Sequence, residues 1–274
     1  MGRIVIGTSG YSYKDWKGVF YPEDLSSKDY LSYYSKHFSS VELNFSYYKQ
    51  PEASHLERML LKTEDDFLFT VKAHQSLTHD RRDGWKEEGR RFIEGISPMA
   101  AAKQLAAVLL QFPYSFHYTR ENRVYLARLC EFFKGSHDLP LAVEFRNREW
   151  QQESVYDELR QREVSAVLTD SPALKGLPED LPGKETMDRG LTGKIAYLRF
   201  HGRNRENWWE GDNASRYDYL YSEEELTPWV SFLIEAALKT SLILVYFNNH
   251  HKGQAVQNGL TLRRLCRDRG TESC

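Results

Sequence analysis

Ile195-Ala196-Tyr197-Leu198-Arg199-Phe200-His201-Gly202 holds the pattern that decides the fold. Four apolar residues suit a strand buried on both faces, and the run then closes on a base and a histidine two positions apart. Working outward, seven more segments have the same form. Upstream are Ile4-Val5-Ile6 before Thr8-Ser9, Val41 before Glu42 and Asn44, and Phe67-Leu68-Phe69-Thr70-Val71 before Lys72. Next come Ala107-Val108-Leu109-Leu110 before Gln111, Leu141-Ala142-Val143 before Glu144 and Arg146, and Ala166-Val167-Leu168 before Asp170. Downstream, Leu242-Ile243-Leu244-Val245 precedes Asn248-Asn249. Helical patterns separate most of them. Eight such repeats predict an α/β fold, a (β/α)8 TIM barrel with its site at the C-terminal mouth.

The chain has 274 residues, and such a barrel takes roughly 250. A single barrel domain over 1–274 is therefore expected. Charged residues make up 28% and hydrophobic ones 41%, which fits a globular protein and excludes a disordered one. The net charge of -2 gives no global attraction to nucleic acid or anionic membranes. Cys130, Cys266 and Cys274 are scattered, with no Cys-x-x-Cys spacing, so reduced thiols in a cytoplasm are expected rather than a disulfide framework. A predicted strand begins by Ile4, so no signal peptide is expected. No apolar stretch approaches the roughly 18 residues of a membrane span.

Between the strands, helices are expected over 28–37, from Pro51 onward, and over 119–133, 223–239 and 255–267. The polar stretch 75–95 reads as a long loop, followed by a helix across 98–106. After Asp170 the chain is rich in Pro and Gly, so the sixth crossover helix should be short or replaced by loop. The insertion 201–221 and the first connection, with Tyr11, Tyr13 and Trp16, mark the substrate side, because loops on that face carry function.

Strand parity names the site. Glu42 with Asn44, Glu144 with Arg146, and Arg199 with His201 share faces, which in a barrel point inward. Lys72, Gln111 and Asp170 are expected to join them. Buried charges are costly unless paired, so internal salt bridges should run through the cluster, and Glu144 with Arg199 is a candidate pair. Tyr11, Trp16, Tyr47, Tyr48, Trp150, Trp208 and Trp209 follow strand ends. At least half should be packing residues, with two or three left to stack against a sugar or base. His250-His251 read as solvent-exposed loop.

The same segments resemble the YecE-like domain-of-unknown-function family of bacterial and archaeal proteins. The resemblance rests on Ile6-Gly7-Thr8-Ser9-Gly10-Tyr11, Val41-Glu42-Leu43-Asn44, Phe69-Thr70-Val71-Lys72-Ala73, Val143-Glu144-Phe145-Arg146, Leu198-Arg199-Phe200-His201-Gly202-Arg203 and Tyr246-Phe247-Asn248-Asn249. It implies a (β/α)8 barrel and no particular activity.

The residues themselves suit an enzyme acting on a small anionic, phosphorylated or carboxylated, sugar-like molecule. Glu42, Lys72, Glu144, Asp170 and His201 are the candidate catalytic groups. Tyr11, Trp16, Asn44, Gln111, Arg146, Arg199, Arg203, Asn248 and Asn249 are the candidate binding groups, since arginine forks suit phosphate and carboxylate. No cofactor and no metal site are expected, because His201 is the lone histidine at a strand end. Two alternatives stay open: a nucleotide- or nucleic-acid-binding module, and, by analogy of fold alone, a metal-dependent phosphodiesterase or isomerase. The residues leave oligomeric state open.

Overall fold

Residues 1–137 and 139–271 are described by the computed structural model. Eight parallel strands close in chain order: β1 Arg3–Ser9, β2 Ser40–Leu43, β3 Leu68–Lys72, β4 Leu105–Phe112, β5 Leu141–Phe145, β6 Ser165–Asp170, β7 Ile195–Phe200 and β8 Leu242–Phe247. Pairing of Arg3 to Thr8 with Leu242 to Phe247 seals the ring. The close approach of β1 to β2 depends on Gly7, where a Cβ would lie 2.2 Å from the Ser40 carbonyl oxygen. The expected (β/α)8 TIM barrel is the observed fold.

Ten α-helices occur among the described residues: α1 Tyr30–Tyr34, α2 Phe45–Tyr48, α3 Ala53–Leu60, α4 Trp85–Ala101, α5 Arg120–His137, α6 Glu153–Gln161, α7 Lys184–Gly190, α8 Asn213–Arg216, α9 Glu223–Ala236 and α10 Gln254–Asp268. The crossover helix after β6 is the short α7, as the Pro- and Gly-rich sequence leads one to expect. Helix α9 starts at a capping box, in which Ser222 accepts from the Glu225 backbone and Glu225 accepts from that of Ser222. No helix among the described residues is long and apolar enough to cross a membrane.

Two helix expectations need correction. Pro51 does not open a helix; α3 begins at Ala53 with Glu52 as its cap. The segment 75–95 is not one loop followed by a helix across 98–106. Helix α4 already runs from Trp85, Pro98 sits in its last turn, and β4 starts at Leu105. Phe92, Ile93, Ile96 and Met99 form a buried stripe at helical spacing. That burial outweighs the hydrogen bond lost at Pro98.

Strand alternation divides the apolar residues into two sets. Val5, Leu109, Ala142, Val167, Tyr197, Leu244 and Tyr246 fill the barrel interior. Their neighbours, such as Ile6, Leu110, Val143, Leu168 and Leu198, pack outward against the helices. Cys130 and Cys266 are buried in α5 and α10, and Cys274 lies outside the described residues.

Candidate functional site

The barrel interior becomes steadily more polar toward the C-terminal ends of the strands. Tyr246 on β8 lies 2.5 Å from Ser40 Oγ and 3.1 Å from Thr70 Oγ1 through its hydroxyl. Nearby, the Tyr197 hydroxyl donates to Glu42 Oε2 at 2.6 Å. Arg199 then joins two carboxylates, donating to Glu42 Oε1 at 2.6 Å and to Glu144 Oε2 at 2.5 Å. Arg146 pairs with Glu144 Oε1, and His201 Nε2 approaches the same oxygen at 3.2 Å.

Both carboxylates are fully buried, and every one of their oxygens has a partner. Such pairs offset the cost of removing charge from water only when the remaining donors and acceptors are also satisfied. Burial would raise the Glu144 carboxyl, but Arg146 and Arg199 outweigh it and hold it well below the usual range. His201 moves the other way. Burial and Arg146 push it down to about 3 against the pull of Glu144. The Asn248 amide meets His201 Nδ1 at 3.1 Å. An amide donor there leaves the proton on Nε2, which donates to Glu144. His201 is thus a neutral, fully enclosed link that orients Glu144.

Above this charged layer opens a cavity of about 390 Å³. Its wall carries Lys72, Arg146, Arg199 and Arg216, together with Asn44, Gln111 and Asn248, and no carboxylate. Tyr13, Tyr47, Tyr48, Tyr217, His79 and His250 complete it. A second space of about 200 Å³ shares Gln111, Arg146, Arg216 and Tyr217 and extends toward Trp208 and Trp209. Among the described residues, no group of three His, Cys, Asp or Glu is arranged to hold a metal ion.

Lys72 donates to Gln111 Oε1 at 2.8 Å, and its Nζ lies 4.4 Å from the centre of the Tyr47 ring. It does not pair with Glu42, whose oxygens are taken by Arg199 and Tyr197. Burial, with Arg199 and Arg146 nearby, lowers its pKa from 10.5 to about 7. The unfolded chain holds this proton up to the ordinary lysine range, whereas the folded chain gives it up near 7. Stability contributed here therefore rises as pH climbs from about 7 to 10.5. Lys72→Met should raise the melting temperature at pH 7, and the gain should shrink toward pH 10. A gain that grows with pH, or a loss at pH 7, would refute the assignment.

Residues 5–273 match the family described as Protein of unknown function DUF72. The chain belongs to the DUF72 family. It is 32% identical over 275 residues to the UPF0759 protein YunF of Bacillus subtilis strain 168, covering 96% of this chain and 94% of that one. The crystal structure of a DUF72 family protein from Thermotoga maritima MSB8 is similar at 40% identity and a TM-score of 0.86, covering 97% of this chain and 99% of that chain. A DUF72 protein from Enterococcus faecalis V583 is similar at 25% identity and a TM-score of 0.83, covering 97% and 96%.

In this DUF72 barrel, Asn44, Arg146 and Arg199, which share faces with Glu42, Glu144 and His201, line the cavity together with Lys72, Gln111 and Asn248. Glu42, Glu144 and His201 lie enclosed beside them. Five expected site residues lie elsewhere. Asp170 faces the helices, not the interior, where it accepts from Arg203, from the Tyr221 hydroxyl at 2.7 Å and from Trp229 Nε1 at 3.0 Å. Arg203 is spent on Asp170 and Glu225. Asn249 donates to the Tyr219 carbonyl and to Asn258. Trp16 is fully buried, its indole donating to the His250 carbonyl at 2.7 Å. Tyr11 packs near Tyr34, and its carbonyl accepts from Tyr21.

Trp150 is likewise packing, stacked on Phe116 and Phe145. His250 is not solvent-exposed loop, since it stacks on Tyr13 at 4.5 Å and lines the cavity. Sequence reasoning missed Arg216 altogether. It comes from the short helix α8 inside the 201–221 insertion, where no periodicity marks it. The insertion is turned back over the mouth by Gly202, at φ +84°, whose N–H donates to the Tyr221 hydroxyl at 2.9 Å.

Proposed function

We propose that the barrel mouth binds a small anionic, phosphorylated or carboxylated, sugar-like metabolite and acts on it as an enzyme. One observation carries this reading: four cationic side chains share a wall that presents no carboxylate. A cavity of about 390 Å³ falls in the roughly 300–1,000 Å³ range of small-molecule sites. Arg146 and Arg216 supply forked donors suited to a phosphate or carboxylate, while Arg199, whose fork is spent on Glu42 and Glu144, adds only its positive field. Asn44 and Gln111 suit hydroxyl groups, and the tyrosines suit a sugar face. Lys72, lowered to about 7 by burial, can exchange a proton near neutral pH, as an enzymatic acid or base requires.

A nucleic-acid ligand is less well supported. The neighbouring rim mixes Arg148, Lys175 and Arg189 with Glu149 and Glu185, so no continuous basic stripe leaves the mouth there. Calorimetry with inorganic phosphate and a panel of sugar phosphates and sugar acids tests the reading. Arg146→Ala should keep the fold, because Glu144 retains Arg199 and His201. It should weaken binding by about 1.5–3 kcal/mol, the worth of a charge-assisted hydrogen bond. Equal affinity in wild type, Arg146→Ala and Arg216→Ala would move the anion site elsewhere.

A further inference from the structure

We propose that Lys72 is an imine-forming lysine, whose Nζ attacks the carbonyl carbon of an anionic aldehyde or ketone held beside it by the mouth arginines. The inference rests on the anion-site reading above and deepens it by naming the reactive group of the substrate.

Geometry separates Lys72 from the other cations of the cavity. The carboxylate oxygens of Glu42 and Glu144 are occupied by Arg199, Arg146, His201 and Tyr197. None of them is left to form an ion pair with Lys72. Lys72 instead faces a neutral acceptor, Gln111 Oε1, at 2.8 Å. That amide is itself held in place, since Gln111 Nε2 donates to the Phe112 carbonyl at 3.0 Å. It takes one N–H of the amine and leaves the lone pair to the cavity. Burial and the adjacent guanidinium groups keep a large share of this amine unprotonated at neutral pH, the state a nucleophile needs.

The surroundings also suit the product. An iminium is cationic, and the Tyr47 ring already lies 4.4 Å from Nζ, a distance at which a ring face attracts a cation. Arg146 and Arg216 line the same cavity, so an anionic group on the substrate can be held while its carbonyl reaches Nζ. Asn44 Oδ1 is buried there without a hydrogen-bond partner among the described residues, and it fits a substrate hydroxyl. The ligand class is therefore a hydroxylated oxo acid or sugar phosphate in its open carbonyl form.

The step balances without a further reagent. Nζ donates its lone pair to the carbonyl carbon, and the C=O π pair moves to oxygen. One proton passes from nitrogen to that oxygen, giving a carbinolamine. The C–O bond then breaks, oxygen departs as water with the second Nζ proton, and the nitrogen of the C=N bond that remains takes up one proton from solvent to become the iminium.

Glycolaldehyde phosphate, glycolaldehyde and inorganic phosphate are the probes, with cyanoborohydride supplying hydride to fix any imine as a secondary amine. Intact mass and peptide mapping of the wild-type protein read the result. At pH 7 the expected product is a single adduct on Lys72. It should form about tenfold or more faster with the phosphorylated aldehyde, the factor one charge-assisted hydrogen bond supplies. Inorganic phosphate should slow it, and Lys72→Met should abolish it. Its rate should rise through about pH 7, whereas surface lysines wait for their ordinary range near about 10.4. Labelling of Lys72 no faster than surface lysines, while calorimetry still shows phosphate binding, overturns the imine assignment and leaves the anion site standing. Absence of phosphate binding to wild type overturns the reading beneath it. The wild-type peptide map decides the matter even if the variant does not fold.

Discussion

Arg199→Met is expected to cost about 3–5 kcal/mol of folding stability, the usual penalty for leaving a buried charge without its partner. Arg199 is the side chain through which Glu42 and Glu144 are neutralised together, and both acids are fully enclosed. Methionine fills the volume and supplies no donor. Glu144 keeps Arg146 and His201, but Glu42 keeps only the Tyr197 hydroxyl. Urea unfolding followed by circular dichroism measures the loss. Adding Glu42→Gln to Arg199→Met should recover part of it, because the stranded charge is then gone. An unchanged midpoint in the single variant would show that the pairing does not support the fold.

Asp170→Ala should cost about 3 kcal/mol, from a region that never touches the cavity. The substitution removes the acceptor for Tyr221, for Trp229 and for the Arg203 guanidinium. The first two are buried, so their donors are left unsatisfied. Arg203 and Tyr221 lie within and at the end of the insertion that brings Arg216 and Tyr217 to the mouth. The variant should therefore be cut more readily within 202–220 by a protease, and should bind phosphate more weakly. Asp170→Asn should fall between, since its amide oxygen still accepts. Wild-type stability and wild-type proteolysis in Asp170→Ala would end this account.

The inward residues of the mouth were legible wherever a strand alternates. Glu42 and Asn44, Glu144 and Arg146, and Arg199 and His201 follow from a period of two once the barrel is inferred. Asp170 was misread for a physical reason. Ala166-Val167-Leu168 is apolar on both faces, so the run itself does not say which face is which. Val167 belongs to the interior and Leu168 to the helix side, which turns Asp170 outward. Beyond a strand end the rule lapses, and Arg203 and Asn249 turn into loop contacts instead. Position in the chain points Trp16 and Tyr11 to the mouth, whereas the cost of exposing large rings draws Trp16 into the core and packs the partly buried Tyr11 against it. Helix α4 was hidden by Pro98 and by the charged residues at its start. Arg216 is invisible because it sits on the four-residue helix α8, too short to show a period.

The interlocked charges at the base of the mouth have a consequence for how such a barrel changes over generations. One arginine serves two acids, and one of those acids serves two arginines and a histidine. Substitutions within the group are energetically coupled, so the effect of each depends on which others are present. A neutral route through sequence space must then change them in compensating sets. Tyr13, Tyr47, Arg216 and Tyr217 stand outside the strands and outside that lattice. Each can change without breaking one of those buried ion pairs. Selection can thus retune what enters the cavity through its loops while the charged base stays frozen, which separates the inheritance of the scaffold from the divergence of its ligands.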